Sequence, residues 1–207
     1  NPPAECPSQV VTDIIQMGEE GRMELFGELE AGDLPAPGTY GGTPFLHDPE
    51  EFLAWFNDQF SDGALGGVAD SGLLGTLFGD LPDPADQEAF TAYMQQFWIG
   101  KTVYKRFGRL LAKDRLVCDF PVIYHEIYRT EDSSFDGEPV IYIEIGRPNA
   151  DNPIAECWDE VRQVADGIYL GVNYCPLSDG SLAQLQTFVL DSNCPDPPED
   201  VQLDLCE

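Results

Sequence analysis

The chain has 207 residues with 38 acidic and 10 basic side chains, which gives a formal net charge of −28 at neutral pH. This charge repels phosphate groups and anionic lipid, so we expect no nucleic-acid partner. Hydrophobic residues make up 43% of the sequence, which is enough for a core. The sequence contains no apolar run of about 18 residues, so we expect no membrane span. The length fits one domain with an appended helical segment.

Helical patterns occupy the first part of the chain. Apolar residues recur at helical spacing over 9–26, and an Asp-Pro start signal predicts further helices over 49–60 and 84–97. The Gly- and Pro-rich stretch 31–46 predicts an ordered loop. Six glycines in 61–82 favour one of two structures, a mobile lid over an apolar site or an irregular packed loop.

From residue 101 the apolar period changes from the helical spacing to two. The predicted strands are 101–107, 109–118, 122–129, 140–145, 157–164, 168–174 and 183–190. Tight-turn signals between them indicate antiparallel neighbours, and no helical pattern separates the strands as βαβ units would require. Closing such a meander into an up-and-down barrel removes its exposed edges.

Six cysteines without a CxxC pair favour disulfides over a structural zinc site, with buried free thiols as the alternative. They are Cys6, Cys118, Cys157, Cys175, Cys194 and Cys206. Their order permits several pairings, and the position of Cys6 and Cys206 predicts that at least one bridge fastens a terminus. The start at Asn1 without Met is typical of a mature exported chain, so we expect a secreted or periplasmic protein.

Short motifs in the second half follow one another in a characteristic order. They are WIGK at 98–101, DGEP at 136–139, DEVRQV at 159–164, DGIYLG at 166–171 and TFVL at 187–190. In this order and spacing the chain resembles lipocalin-like small β-barrel proteins over about 97–191. The resemblance implies a barrel with an internal apolar cavity. The predicted fold class is thus α+β: a helical segment, 1–97, packs on an antiparallel lipocalin-like β-barrel, 98–207, that ends in a Pro-rich tail.

Two opposite faces of the predicted strands 122–129 and 140–145 compete for the barrel interior. One face carries phenols and carboxylates: Tyr124, Glu126, Tyr128, Tyr142 and Glu144. The other carries His125 and Arg129 among isoleucines. We expect the Tyr and Glu face to line the cavity, while the isoleucine face packs beneath the N-terminal helices. As acid and base, the candidate catalytic residues are Tyr124, Glu126, Tyr142, Glu144 and His125, and Tyr128 and Arg129 are candidate ligand contacts.

Nine of the ten Lys and Arg residues lie between 101 and 162, so any carboxylate-binding or ion-paired site should lie there. The alternative is that these cations are ordinary outward partners of nearby Glu and Asp. Lys101, Glu160 and Arg162 form a further candidate cluster. Lys101 and Arg162 are predicted ligand contacts, and the alternative is a buried ion network that closes the barrel base. Tyr169, within the DGIYLG motif, is the last predicted ligand contact.

The predicted function is a secreted lipocalin-like protein that binds a small hydrophobic or aromatic molecule with one polar end. The alternative is a cofactor-free isomerase, cyclase or lyase in the same cavity, and a third hypothesis is an acidic surface that binds a basic partner. No motif of a serine hydrolase, zinc protease or nucleotide hydrolase occurs, so we expect no cofactor and no metal. We expect a monomer or a small homo-oligomer.

Overall fold

A computed structural model of the protein describes residues 6–47, 55, 98–116, 124–145 and 156–195. Its helices are α1 (Gln9–Gln16) and α2 (Glu19–Glu28). Its strands are β1 (Gly38–Leu46), β2 (Trp98–Arg106), β3 (Arg109–Leu116), β4 (Tyr124–Thr130), β5 (Val140–Ile145), β6 (Trp158–Ala165), β7 (Ile168–Pro176) and β8 (Leu182–Asp191). The strands form a closed antiparallel barrel in chain order, which confirms the α+β class and the meander.

The predicted helix 9–26 is two helices. The Oγ of Ser8 caps the start of α1 by accepting from the amide of Val11, and the chain becomes extended at Met17 and Gly18 before α2 begins. The guanidinium of Arg22 donates to the carbonyl oxygen of Met17, which gives that carbonyl a partner at the break. The apolar faces of both helices pack on the outside of the barrel. The core that they form there includes Val11, Ile14, Phe26, Phe45, Ile168, Leu170, Val172 and Val189.

The prediction of a loop over 31–46 is wrong for its second half, because β1 pairs with both β2 and β8 and closes the barrel. Gly41 and Gly42 of β1 allow other parts of the chain to pack closely against this strand. A Cβ on Gly41 would lie 1.9 Å from the carbonyl oxygen of Cys194, and one on Gly42 would lie 2.4 Å from the Trp98 ring. The barrel therefore includes a strand from the part of the chain that precedes residue 98.

Two disulfides are described, Cys6–Cys194 and Cys157–Cys175. The first joins the residues before α1 to those after β8, which confirms that a bridge fastens a terminus. The second joins Cys157, the residue just before β6, to Cys175 near the end of the neighbouring strand β7. Cys118 and Cys206 lie outside the described residues.

Several predicted segments also lie outside the described residues: the helix 84–97, the Gly-rich stretch 61–82 and the tail beyond residue 195. Within the predicted helix 49–60, Trp55 is described, and it is helical and buried. None of the described helices is long and apolar enough to cross a membrane.

Candidate functional site

The isoleucine face of β4 and β5 lies inside the barrel. His125 is 2% exposed and Ile143 is 1% exposed, whereas Tyr128 on the opposite face is 38% exposed. The strand register keeps this inner set together, because His125 pairs with Ile145 and Ile127 pairs with Ile143. The expectation that the Tyr and Glu face lines the cavity is wrong. Burial of branched aliphatic side chains decides the orientation, and the helices cover β7 and β8 instead.

The predicted acid and base residues of the other face therefore lie on the outside of the barrel. Glu126 forms an ion pair of 2.9 Å with Arg109, whose side chain is largely exposed. Tyr142 stacks on Trp158 at 6.0 Å between ring centroids, and burial raises the pKa of its phenol well above the usual range. Glu144 pairs with Glu126 across the strands. The Tyr124 side chain lies outside the described part of the structure.

Five buried polar side chains meet inside the barrel, and we call them the interior polar cluster. They are Lys101 of β2, Asp114 of β3, His125 of β4, Asp159 of β6 and Asn173 of β7. Register brings them together. Lys101 pairs directly with Asp114, and Asp159 pairs directly with Asn173, so each pair projects to the same side of the sheet.

An ammonium between two carboxylates forms the centre of the cluster. The Nζ of Lys101 donates to Oδ1 of Asp114 at 2.7 Å and lies 3.0 Å from Oδ2 of Asp159. Asn173 donates to the other oxygen of Asp159 at 2.8 Å, and the indole of Trp98 donates to Asp114 at 2.8 Å. These contacts take two of the three N–H donors of Lys101 and restrain both carboxylates.

His125 completes the cluster from the wall of β4. Its Nε2 lies 2.8 Å from Oδ2 of Asp114 and 3.3 Å from the Nζ of Lys101. Its Nδ1 is buried and has no hydrogen-bond partner among the described residues. A buried polar atom without a hydrogen bond costs free energy. The hydrogen bonds within the cluster leave Nδ1 of His125 without one.

The charges of the cluster stabilise one another. Burial alone would raise the pKa of Asp114, but the nearby charges and hydrogen bonds of Lys101 and His125 hold it far below its usual range. Burial alone would lower the pKa of Lys101, but Asp114 and Asp159 raise it. Lys101 is therefore a charged ammonium and not a nucleophilic amine.

The depressed pKa of Asp114 predicts a pH dependence of stability. An acid with a lower pKa in the folded protein stabilises the fold above its unfolded pKa of about 3.9, and this contribution is lost as the pH falls through the folded value. We expect Asp114→Asn to lower the free energy of unfolding at pH 7 by about 3–5 kcal/mol and to flatten its decline below pH 4. Urea unfolding between pH 2 and 7 measures both effects. Exposed Asp132→Asn is the control, and an equal acid response in wild type and Asp114→Asn would contradict the assignment.

The opposite end of the barrel holds two of the predicted ligand contacts. Arg129 contacts the carbonyl of Gly32 and lies 3.8 Å from Asp33, and the hydroxyl of the buried Tyr169 donates to the Asp33 carbonyl at 3.0 Å. Burial raises the pKa of Tyr169 to about 12. A groove of about 750 Å³ lies here. Its lining residues are Gly27, Leu29, Glu30, Ala31, Gly32, Asp33, Arg129, Glu138, Pro139 and Gln163.

Gln163 and Arg129 of this groove make hydrogen bonds within the protein. The side chain of Gln163 accepts from the amide of Asp33 at 2.7 Å and donates to the carbonyl of Ala165 at 3.2 Å. Together with the contacts of Arg129, these bonds attach the chain after α2 to the barrel.

Lys101, Glu160 and Arg162 do not form one cluster, because Lys101 lies inside the barrel and the other two lie outside. The guanidinium of Arg162 donates to the carbonyl of Phe26 at 2.8 Å and makes two bonds of 2.6 and 2.7 Å to Asp136. Glu160 accepts from the hydroxyl of Ser133 at 2.7 Å. Both residues therefore hold α2 and the β4–β5 connection against the barrel, a structural role.

Sequence reasoning missed Asp114, Asp159 and Asn173. Each lies in a predicted strand, and Asp114 shares a face with the apolar Ala112, which is a signal that its carboxylate is buried. The partners become visible only once the strand register is known, since Lys101 and Asp159 are far apart in the chain. Of the predicted site residues, the structure brings Lys101 and His125 together in the interior polar cluster.

Comparison with protein-family models, with curated proteins and with solved structures finds no match for this chain. The lipocalin-like resemblance rests on the motifs alone. The interior polar cluster and its chemistry provide the basis for a function.

Proposed function

We propose that the protein binds a small hydrophobic or aromatic molecule with one polar end inside the barrel, next to the interior polar cluster, as a secreted or periplasmic lipocalin-like protein. One observation carries the proposal: the buried Nδ1 of His125 has no partner among the described residues. A polar group of a ligand would supply the missing hydrogen bond, and the ligand would then recover free energy that the empty protein lacks.

The surroundings of the cluster suit such a molecule. Apolar side chains of the inner wall include Val103, Ala112, Ile127, Ile143 and Phe188. The Nζ of Lys101 lies 5.7 Å from the Trp98 ring centroid and 6.0 Å from that of Phe188, so aromatic and charged groups adjoin. Small-molecule sites typically have an apolar wall with a small number of precisely placed polar groups.

Stability alone is a poor reason for the cluster. A buried ion pair is often no more stabilising than well-packed apolar residues of the same volume, because both ions lose their hydration. Lys101, Asp114 and Asp159 are all at least nine-tenths buried. Their presence in an otherwise largely apolar wall therefore favours a role in recognition. The two disulfides fit an oxidising compartment outside the cytoplasm.

The second candidate function is a cofactor-free isomerase, cyclase or lyase, and the contact between Asp114 and His125 favours it. A carboxylate 2.8 Å from one imidazole nitrogen orients the ring and stabilises the imidazolium that forms when the other nitrogen accepts a proton. His125 is the base in this candidate. The outward positions of Glu126, Tyr142 and Glu144 give them no part in it.

Titration with the fluorescent apolar probe N-phenyl-1-naphthylamine tests the binding proposal. We expect one saturable site in the folded, disulfide-bonded protein, and about tenfold weaker binding in His125→Leu, since the variant lacks the unpaired ring nitrogen. Glu144→Gln, on the outer face, is the matched control and should bind as the wild type does. Absence of saturable binding in the wild type, or equal affinity in His125→Leu, would contradict binding beside the cluster.

A further inference from the structure

The turn between β2 and β3 exposes an aromatic ring. Phe107 is 89% exposed, and the next most exposed large hydrophobic residue that the structure describes is Leu182 at 48%. Phe107 has a φ of 52° and Gly108 a φ of 77°, which is the pattern of a type I′ turn. Asn, Asp or Gly usually occupies the first of these positions, because a bulky side chain is strained at positive φ. The hairpin thus holds a phenyl ring in water in a strained backbone conformation.

The same hairpin is a basic segment of an acidic chain. Residues 98–113 contain five Lys and Arg side chains and no Asp or Glu, although the whole sequence has 38 acidic residues. We call residues 106–109 the basic tip, and its exposed cations are Arg106 and Arg109. Arg109 forms an ion pair with Glu126. The guanidinium of Arg106 lies 5.0 Å from the centroid of the Phe107 ring, and no carboxylate of the described residues pairs with it.

The groove that Arg129 and Gln163 line lies at the same end of the barrel as the basic tip. Antiparallel neighbours alternate in direction, so β2, β4 and β6 all end on this side. Arg129 is near the end of β4, Gln163 is near the end of β6, and the basic tip includes the end of β2. Two further exposed apolar side chains belong to this end, since Phe135 of the β4–β5 connection is 44% exposed and Leu34, before β1, is 39% exposed. This end therefore carries a protruding aromatic side chain and an open groove.

The groove is complementary to the basic tip in charge. Its lining includes three exposed carboxylates, Glu30, Asp33 and Glu138. Asp33 lies 3.8 Å from Arg129, whereas Glu30 and Glu138 have no ion pair among the described residues. Leu29 adds apolar surface. The groove thus offers unpaired carboxylates and apolar contact, and the basic tip offers an unpaired guanidinium and a phenyl ring.

We infer that two copies of this chain associate end to end, with the basic tip of each copy seated in the groove of the other. Phe107 then leaves water, and Arg106 meets Glu30 and Glu138 of the second copy. Because tip and groove lie at the same end, a two-fold axis forms both contacts at once and leaves no open site for a third copy. The net charge of −28 opposes association, but at an ionic strength of about 0.15 M salt screens exposed charges more than about 8 Å apart. The inference is independent of ligand binding inside the barrel.

An anionic membrane is the other surface that a basic, aromatic tip suits, because cations bind phosphate groups and an aromatic ring enters the apolar layer. Exposed carboxylates at the same end oppose that contact. They are Glu131, Asp132, Asp136, Glu138 and Asp166. A flat membrane would face all of these carboxylates at once, whereas a groove takes up the tip alone. Charge therefore favours a second copy of the chain over a membrane.

Sedimentation equilibrium of the full, oxidised chain at about 0.15 M salt tests the inference. We expect a dimer that dissociates on dilution, and a dimer weakened about tenfold or more in Phe107→Asn, because each of its two contacts loses a buried ring. Asn suits positive φ, so this variant should resist urea at least as well as the wild type. Leu182→Ser removes an exposed apolar side chain at the other end of the barrel and should dimerise as the wild type does.

A charge exchange identifies the two surfaces that meet. Arg106→Glu makes the tip repel the groove carboxylates, and Glu138→Arg makes the groove repel the tip, so each variant alone should be monomeric. On mixing, the reversed tip of one variant meets the reversed groove of the other, and the two native surfaces also meet, so we expect a dimer of one copy of each.

A monomeric wild type, an undiminished dimer in Phe107→Asn, or charge variants that stay monomeric after mixing would overturn the inference. Phosphatidylglycerol vesicles provide the remaining comparison. If a monomeric wild type binds them and Phe107→Asn does not, the basic tip contacts a membrane and association between copies is wrong. None of these outcomes affects the binding of an apolar molecule beside the interior polar cluster, which the naphthylamine titration measures separately.

Discussion

Ile143→Asp is expected to prevent folding. The Ile143 side chain is 1% exposed in the barrel interior. Its cross-strand partner on β6 is the buried Asp159. The substitution removes an aliphatic side chain from the core and places a carboxylate beside an existing one, and buried unpaired charge is among the few changes that cost more than about 4–5 kcal/mol. Near-ultraviolet circular dichroism and urea unfolding measure the loss of the native state.

The adjacent residue supplies the control. Glu144 belongs to the same strand and faces outward, so Glu144→Gln should change the free energy of unfolding by no more than about 0.5 kcal/mol. A folded Ile143→Asp protein with the urea midpoint of the wild type would show that the isoleucine face is not the inner one.

Lys101→Met is expected to destabilise the fold strongly. It removes the only ammonium described in the interior polar cluster and leaves Asp114 and Asp159 buried without compensation. Breaking one side of a buried ion network typically costs about 3–5 kcal/mol. Urea unfolding at pH 7 measures the loss.

The pH response separates this loss from a simple packing defect. Without the ammonium, the buried carboxylate of Asp114 takes up a proton at higher pH than it does beside Lys101, so the deficit of Lys101→Met should shrink as the pH falls from 7 towards 4. Lys105→Met, at the exposed end of the same strand, should have little effect. A deficit that stays constant with pH would contradict the electrostatic account.

Much of the barrel was predictable because each strand has a recognisable pattern in its own local sequence. Period-two patterns and tight-turn signals placed seven of the eight strands, and they did so within a few residues of β2 to β8. β1 was missed because its glycines are typical of loops, and the reason for them is contact with Cys194 and Trp98, which lie far away in the sequence. The break at Gly18 was missed because Arg22 satisfies the Met17 carbonyl there.

The candidate site was predictable only in part. His125 and Lys101 were recognised as unusual side chains in strands, but the choice between two faces of β4 was wrong. Alternation along a strand shows that two faces differ and cannot show which one is enclosed. A closed barrel encloses the isoleucine face, and the helices cover a different part of the outer surface.

The sequence by itself determined the fold class, the meander, the strong acidity and the presence of cysteines suited to disulfides, because these depend on composition and on local periodicity. Only the tertiary structure decided that Lys101, Asp114, His125, Asp159 and Asn173 meet. These residues belong to five strands, and their side chains approach one another only when register and barrel closure align them. Contacts between strands depend on the pairing of distant segments, and no local pattern in a single chain specifies that pairing.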